Sequence, residues 1–270
     1  MKFTAACIQL NSQDDIAANM RVVEAMVRKA AGKGASLICL PENAFLMQEP
    51  EKPMPSVESE QKILELSQSL ARELKIWLLA GSTYKRTENG ERCFNHSIFI
   101  NDKGEVVSTY NKIHLFDVTL KNGEVYKESN RIAPGANAVL AETPWGKLGM
   151  TICYDVRFPH LYRQLAQNGA DFLVIPAAFT HTTGKAHWHV LTRARAIENG
   201  CFVFATGQCG MHPGNRQTYG HSMIINPWGE VIAEASEDKP EIIYAEIDTA
   251  KVADVRAMVP SLKHDREYKL

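Results

Sequence analysis

A cysteine, a glutamate and a lysine in this 270-residue sequence each stand where an apolar, strand-like run gives way to a loop. Cys153 ends the run Leu148-Gly149-Met150-Thr151-Ile152, and the helix expected near Pro159 carries Leu161, Leu165 and Ala166 on its inner side. Proline suits the first turn of a helix. A side chain on such a strand-to-helix turn projects from the sheet edge, and the next N–H, that of Tyr154, can donate to an oxyanion. This is the logic of a nucleophile elbow, with sulfur in place of oxygen. Glu42 follows a strand at 36–40, in Leu40-Pro41-Glu42-Asn43. Lys112 follows a strand at 105–110, in Tyr110-Asn111-Lys112-Ile113-His114-Leu115-Phe116-Asp117. Strand termini in α/β sheets gather into one crevice. There a Glu, a Lys and a Cys would supply base, oxyanion stabiliser and nucleophile. Taken singly, each has a plainer reading: Cys153 as a buried structural thiol, Glu42 and Lys112 as solvated loop charges.

The elements that must hold these groups alternate between strands and helices. Residues 3–10 form an apolar run of strand length. From Ile16, the apolar residues Ile16, Met20, Val23, Val27 and Ala30 share one helical face that ends at Gly32 and Gly34. Ile63, Leu66, Leu70 and Leu74 mark a second helix, followed by a strand at 76–80. Three segments share one grammar: a helix end, a glycine and a small residue lead into an all-apolar strand, at Gly34-Ala35, Gly169-Ala170 and Gly200-Cys201. Glycine supplies the left-handed cap, and strands apolar throughout are buried on both faces. The expected class is α/β, with helices covering the sheets.

A longer similarity suggests how the sheets are arranged. Residues 95–107, Asn-His-Ser-Ile-Phe-Ile-Asn-Asp-Lys-Gly-Glu-Val-Val, reappear at 220–232 as Gly-His-Ser-Met-Ile-Ile-Asn-Pro-Trp-Gly-Glu-Val-Ile. Both read as a strand, a glycine-containing turn and a second strand. Generic turn chemistry would give some of this likeness. Two similar halves, each with a mixed sheet and its own hairpin, would pack as a four-layer α-β-β-α sandwich with internal pseudo-two-fold similarity. No linker or low-complexity tract interrupts the chain, so one domain over 1–270 is expected, with the Pro- and Glu-rich stretch 48–59 as a surface loop.

Composition narrows the function. Apolar residues make up 45% and charged residues 23%, the proportions of a soluble globular protein. Thirty Lys and Arg against 31 Asp and Glu leave a net charge of -1, without the basic excess of a nucleic-acid binder. The longest charge-free run, 199–215, is broken by glycines and a proline and falls short of the roughly 20 apolar residues of a membrane span. Met1-Lys2-Phe3-Thr4-Ala5-Ala6 has no signal-peptide pattern. The six cysteines, at 7, 39, 93, 153, 201 and 209, form no C-x-x-C pair and read as free thiols. A cytoplasmic protein is expected. His181, His187, His189 and His212 raise the question of a metal. On a helix, however, His187 and His189 point about 200° apart, unsuited to shared ligation.

The three blocks around Glu42, Lys112 and Ile152-Cys153-Tyr154-Asp155-Val156-Arg157-Phe158-Pro159 resemble, in order, the signature blocks of the nitrilase superfamily of carbon–nitrogen hydrolases. The resemblance runs over essentially the whole chain. It implies an α-β-β-α sandwich, a Glu-Lys-Cys triad and no cofactor or metal. Residues 183–199, with Gln208-Cys209-Gly210-Met211-His212 and 219–229, resemble the Nit branch of amidases. His189 and Asn111 depart from its usual residues at their positions. The likeness implies a small carboxylated amide as substrate, split to acid and ammonia through a thioester. Deaminated glutathione is favoured, α-ketoglutaramate or α-ketosuccinamate is the ω-amidase alternative, and aliphatic amides, N-carbamoyl compounds and nitriles rank lower. It also implies that Glu128, in Tyr126-Lys127-Glu128-Ser129, helps orient Lys112 and substrate; on sequence alone Glu128 reads as a surface loop residue. Arg157 is a candidate partner for a substrate carboxylate, or else an ion-pair partner of Asp155 or Asp171. Phe179, Thr180 and Thr183 follow a strand end and could line the pocket mouth. A homodimer or higher even-numbered homo-oligomer, joined across the helices after Cys153 and Lys185, is implied as well, with the polar segment 259–270 able to lie on a neighbour.

Overall fold

The computed structural model describes residues 1–49, 51–120 and 123–269. Pro50 of the 48–59 loop and Leu270 of the C-terminal segment lie outside the described residues. The first strand, β1 (Lys2–Gln9), sets the layering. Successive side chains of a strand face opposite sides. Phe3, Ala5 and Cys7 accordingly enter one apolar core, while Ala6 and Ile8 enter another. β2 (Leu37–Cys39) and β3 (Trp77–Leu79) continue parallel to β1 with the same split, Ile38 and Leu78 on the outer face and Cys39 and Leu79 on the inner.

Two helices cover the outer face. α1 (Ile16–Gly32) starts at Asp15, whose side chain accepts from the Ala18 N–H, and buries Val23, Val27 and Ala30. α2 (Val57–Leu74) starts at Ser56, whose side chain accepts from the Ser59 N–H, and buries Ile63, Leu70 and Ala71. The sheet is completed by β4 (Thr83–Arg86), β5 (Cys93–Ile100) and β6 (Val106–Asn111), with β5 antiparallel to β3, β4 and β6.

A short hairpin, β7 (Asp117–Thr119) and β8 (Val125–Lys127), separates this half from the next. The second sheet contains β9 (Val139–Thr143), β10 (Gly146–Met150), β11 (Ala170–Ala177) and β12 (Phe202–Gly207). α3 (Pro159–Gln167) and α4 (His181–Asn199) are its covering helices. After a small hairpin, β13 (Cys209–His212) and β14 (Arg216–Tyr219), come β15 (Met223–Ile225) and β16 (Val231–Glu234). β17 (Glu241–Asp248) then returns to pair antiparallel with β1, and α5 (Ala250–Met258) follows.

The two sheets repeat one plan. Three parallel strands, β1-β2-β3 or β10-β11-β12, are flanked by an antiparallel strand on one side and a hairpin on the other. β17 and β5–β6 flank the first set; β9 and β15–β16 flank the second. The likeness of 95–107 to 220–232 is thus a likeness of equivalent hairpins. Between the sheets, Cys7, Cys39, Leu79 and Phe99 share a core with Met150, Phe172, Phe202 and Phe204, and the Phe3 and Phe172 rings meet edge-on at 5.8 Å. The order is helices, sheet, sheet, helices: the expected four layers. Truncating one of these buried side chains to alanine costs about 2–5 kcal/mol, so the strand ends that carry functional groups are anchored by a stiff interior.

Candidate active site

Glu42, Lys112 and Cys153 meet at one end of the sandwich, each just beyond the C-terminal end of a strand. Cys153 follows β10 and opens a 3-10 turn, Cys153–Arg157, rather than running directly into α3. Its backbone is left-handed, with φ +47°. That conformation costs a β-carbon residue roughly 1 kcal/mol or more, and Asp155 compensates. One carboxylate oxygen of Asp155 accepts from the Ile152 N–H at 2.8 Å and the Tyr110 hydroxyl at 2.7 Å. The other accepts from the His114 N–H and lies 2.7 Å from His114 Nδ1. The Tyr154 N–H belongs to the first turn of the 3-10 helix, where donors lack intrahelical acceptors.

Glu42 follows β2 in a turn that needs a glycine opposite it. A β-carbon on Gly81 would stand 2.0 Å from the Pro41 carbonyl oxygen. Lys112 follows β6, and its carbonyl accepts from the Gly135 N–H at 2.8 Å. There a β-carbon would fall 2.1 Å from the Asn111 carbonyl oxygen. Both carboxylates converge on the ammonium. Lys112 Nζ donates to Glu42 Oε1 at 2.9 Å and to Glu128 Oε1 and Oε2 at 3.0 and 2.9 Å. Asn95 Nδ2 bridges Glu42 Oε1 and Glu128 Oε1 at 2.8 and 3.3 Å. Glu42 Oε2 accepts from the Ala178 N–H at 2.7 Å, and Glu128 Oε2 from the Phe116 N–H at 2.7 Å. Gln208 holds Glu42 from behind, donating to its carbonyl at 3.0 Å.

The electrostatics follow from this packing. Burial alone would push the Glu42 carboxyl up, but Lys112, the hydrogen-bonded Cys153 thiol and Arg216 more than reverse it, leaving Glu42 below the usual carboxylate range. Burial likewise works against the Lys112 ammonium, and Glu128, Glu42 and Cys153 overcome it, holding Lys112 well above the ordinary lysine value. Burial and then the Glu42 charge push the Cys153 thiol well up, with Lys112 opposing. The resting state is therefore a neutral thiol beside an ionised carboxylate and a fixed cation. Moving one proton from sulfur to Glu42 makes a thiolate without changing the total charge of the cluster.

These groups line a cavity of about 550 Å³, within the range of small-molecule sites. Tyr154, Phe179, Thr180 and Thr183 line it too, and the Thr180 and Thr183 hydroxyls are 2.7 Å apart. Arg157 packs on that lining: its guanidinium lies over the Tyr154 and Phe179 rings and 3.3 Å from His187 Nδ1, close enough to Cys153 for their charges to interact. It pairs with neither suggested aspartate, since Asp155 is engaged as above and Asp171 lies 3.6 Å from Arg256. The cations in the cavity wall besides Lys112 include Arg216 and Arg131. Arg216 Nη2 donates to the Ala178 carbonyl at 3.0 Å, and its buried Nε finds no hydrogen-bond partner among the described residues.

Residues 4–257 match the carbon–nitrogen hydrolase family model. The chain belongs to this family. It is similar to proteins named deaminated glutathione amidase, including one from Synechocystis at 41% identity over 266 residues, covering 97% of both chains. Another, from Homo sapiens, is 41% identical over 272 residues, 98% of this chain and 83% of the relative. The solved structure of Saccharomyces cerevisiae Nit3, a member of branch 10 of the nitrilase superfamily, superposes with a TM-score of 0.83 at 30% identity, covering 96% of this chain and 94% of that one. Sequence reasoning missed Asn95, Asp155, Gln208 and Arg216 as parts of this hydrolase site. A signal existed for Asn95, which heads the repeated hairpin and has glycine as its counterpart.

Proposed function

We propose that the chain is a cysteine-dependent amidase whose substrate is deaminated glutathione. The observation that carries the chemistry is the convergence of the buried Glu42 carboxylate, the partly buried Glu128 carboxylate and the Cys153 thiol on the Lys112 ammonium. Cys153 Sγ attacks the amide carbon as its proton passes to Glu42. The developing oxyanion is held by Lys112 Nζ and the Tyr154 N–H, donors worth about 10²–10³ each in turnover. Glu42 returns the proton to the departing nitrogen, leaving a thioester on Cys153. It then takes a proton from water, which attacks the thioester and releases the acid and the free thiol. Glu128 is a positioning residue that fixes Lys112 from the far side. No metal or organic cofactor enters these steps.

Three observations support the substrate. The similar relatives carry that name, the cavity has room for more than a simple amide, and Arg216 and Arg131 would meet carboxylates. In deaminated glutathione the scissile amide joins the acyl group to cysteinylglycine. The leaving nitrogen is therefore that dipeptide's amine, and ammonia is released only from ω-amides such as α-ketoglutaramate. The test measures kcat/KM for both compounds by the dicarboxylic acid they share as product, beside an aliphatic amide and an N-carbamoyl amino acid. Deaminated glutathione is expected to lead, and Arg216→Met is expected to raise its KM while sparing the uncharged amide. A higher kcat/KM for α-ketoglutaramate would overturn the substrate assignment.

The same reading takes 1–270 as one domain, because both sheets contribute to the cavity. It places the enzyme in the cytoplasm, in keeping with six unpaired cysteines. No helix among the described residues is long and apolar enough to cross a membrane. A homodimer across α3 and α4 is supported by the exposed Val190 and Ile197 on α4, and light scattering of the purified chain tests it.

A further inference from the structure

A second group of chemically capable side chains lies away from the cavity lining, where α4 meets the β15–β16 hairpin. His189 Nε2 and His221 Nδ1 both lie against one oxygen of Glu234, at 2.8 and 2.7 Å. One nitrogen from each imidazole and one carboxylate oxygen lie within 4.8 Å of one another. The three residues come from α4, from the turn before β15 and from the end of β16, so the fold and not a local motif assembles them.

His221 is held there by its backbone. It sits at φ +49°, directly after Gly220 at φ +67°. Its N–H donates to the Ser236 carbonyl at 3.2 Å, and its carbonyl accepts from Trp188 Nε1 at 2.8 Å. A left-handed histidine is uncommon and persists where its surroundings over-determine it. The Tyr219 ring flanks His221 at 4.4 Å between centroids and so backs the cluster on one side. Trp188, next to His189, is fully buried, which fixes the helix position from which His189 projects.

We propose that His189, His221 and Glu234 form a site for a borderline divalent transition-metal ion of the Zn²⁺ class. Two imidazole nitrogens and one carboxylate oxygen, with water at a fourth position, are a common donor set for such ions. The side chains are partly exposed, so an ion can enter and water can complete its shell. Binding would pin α4 to the hairpin. α4 begins at His181, next to Thr180 and two residues before Thr183 on the cavity wall, so the ion would brace that wall without touching the reacting atoms. His187 and His189 do not chelate as a pair: His189 takes its partners from the β15–β16 hairpin region, and His187 lies with Arg157.

The test uses the full-length chain carrying Cys153→Ser, which removes the catalytic thiol as a competing metal ligand. Co²⁺ is titrated into the metal-free protein, visible absorption bands report its coordination, and calorimetry with Zn²⁺ gives affinity and stoichiometry. One ion per chain is expected, together with a melting temperature that rises with Zn²⁺ concentration. In the same background, His189→Gln, His221→Asn and Glu234→Gln should each weaken binding by about 100-fold or more. Asparagine tolerates the left-handed backbone at 221, and circular dichroism shows whether each variant stays folded. Absence of saturable binding, or affinity unchanged in the folded variants, would overturn the proposal.

Discussion

In the β5–β6 hairpin, Asn101 Oδ1 accepts from the N–H groups of Lys103 and Glu105, each at 3.0 Å, and Asn101 Nδ2 donates to the Glu105 carboxylate. In the β15–β16 hairpin, Asn226 Oδ1 accepts from Trp228 and Glu230 at 2.9 and 3.0 Å, and Asn226 Nδ2 donates to the Glu230 carboxylate. Even the register shift falls at the same step, between Phe99 and Ile100 and between Ile224 and Ile225. The strand ends diverge. Asn95 reaches the carboxylates of both Glu42 and Glu128, whereas its counterpart Gly220 has no side chain. Lys112 is buried between two glutamates, whereas its counterpart Glu237 meets His181 near the surface. Turn chemistry is local and survives repetition. Function depends on which distant groups a strand end meets, and here the two halves part.

The largest test of that contrast replaces the charged residues beyond β6 and β16. Glu42→Gln and Lys112→Met should each lower turnover by about 10⁴-fold or more, while Glu237→Gln should leave it unchanged. The two triad variants should separate in urea unfolding. Glu42→Gln leaves Lys112 paired with Glu128 and stability near wild type. Lys112→Met leaves two carboxylates facing each other and should cost about 3–5 kcal/mol. A similar fall in turnover for Glu237→Gln would erase the functional distinction between the hairpins.

The pH dependence of kcat/KM sharpens it further. Glu42 must be ionised to act as base, and its carboxyl is held below the usual range. Lys112 must stay protonated and is held above its own. The profile should therefore be flat through neutrality, with its acid limb below the ordinary carboxylate pKa. An acid limb near pH 6 would contradict the assigned base.

A third prediction concerns His96, the β5 counterpart of His221. Burial lowers its pKa from 6.5 to about 4, as it does for His212. Below pH 6.5 the unfolded chain takes up these protons first, so stability should fall from pH 6.5 towards 4, by about 3 kcal/mol per histidine at most. Urea midpoints at pH 7 and pH 4.5 should differ less in His96→Asn and His212→Gln than in wild type. The smallest effect is on the turns. Asn101→Ala and Asn226→Ala should each cost about 1–2 kcal/mol by chemical unfolding. A large loss at one and none at the other would show that the repeated bonds do not carry equal weight.

Much of this was legible in the sequence because it is written in local patterns. Apolar periodicity, glycine caps and the repeated hairpin mark the strands and place Glu42, Lys112 and Cys153 at strand ends. Asp155 and Gln208 were not legible as supports, since their partners lie far along the chain and no spacing rule connects them. Arg157 shows a related limit: nearness to Cys153 in sequence does not reveal that its guanidinium settles on the Tyr154 and Phe179 rings of the cavity lining. Arg216, on a small hairpin that interrupts the second half, adds a cation to the cavity wall that no spacing from Cys153 could have indicated. His189 looked poor as a ligand beside His187, and its real neighbours come from the second hairpin.

The central claim is that acyl transfer passes through the Cys153 sulfur. Acid-quenching the enzyme during turnover of deaminated glutathione and mapping the peptides by mass spectrometry tests it most directly. The expected result is the substrate's acyl group on the peptide carrying Cys153 and nowhere else; that group on any other side chain would contradict it.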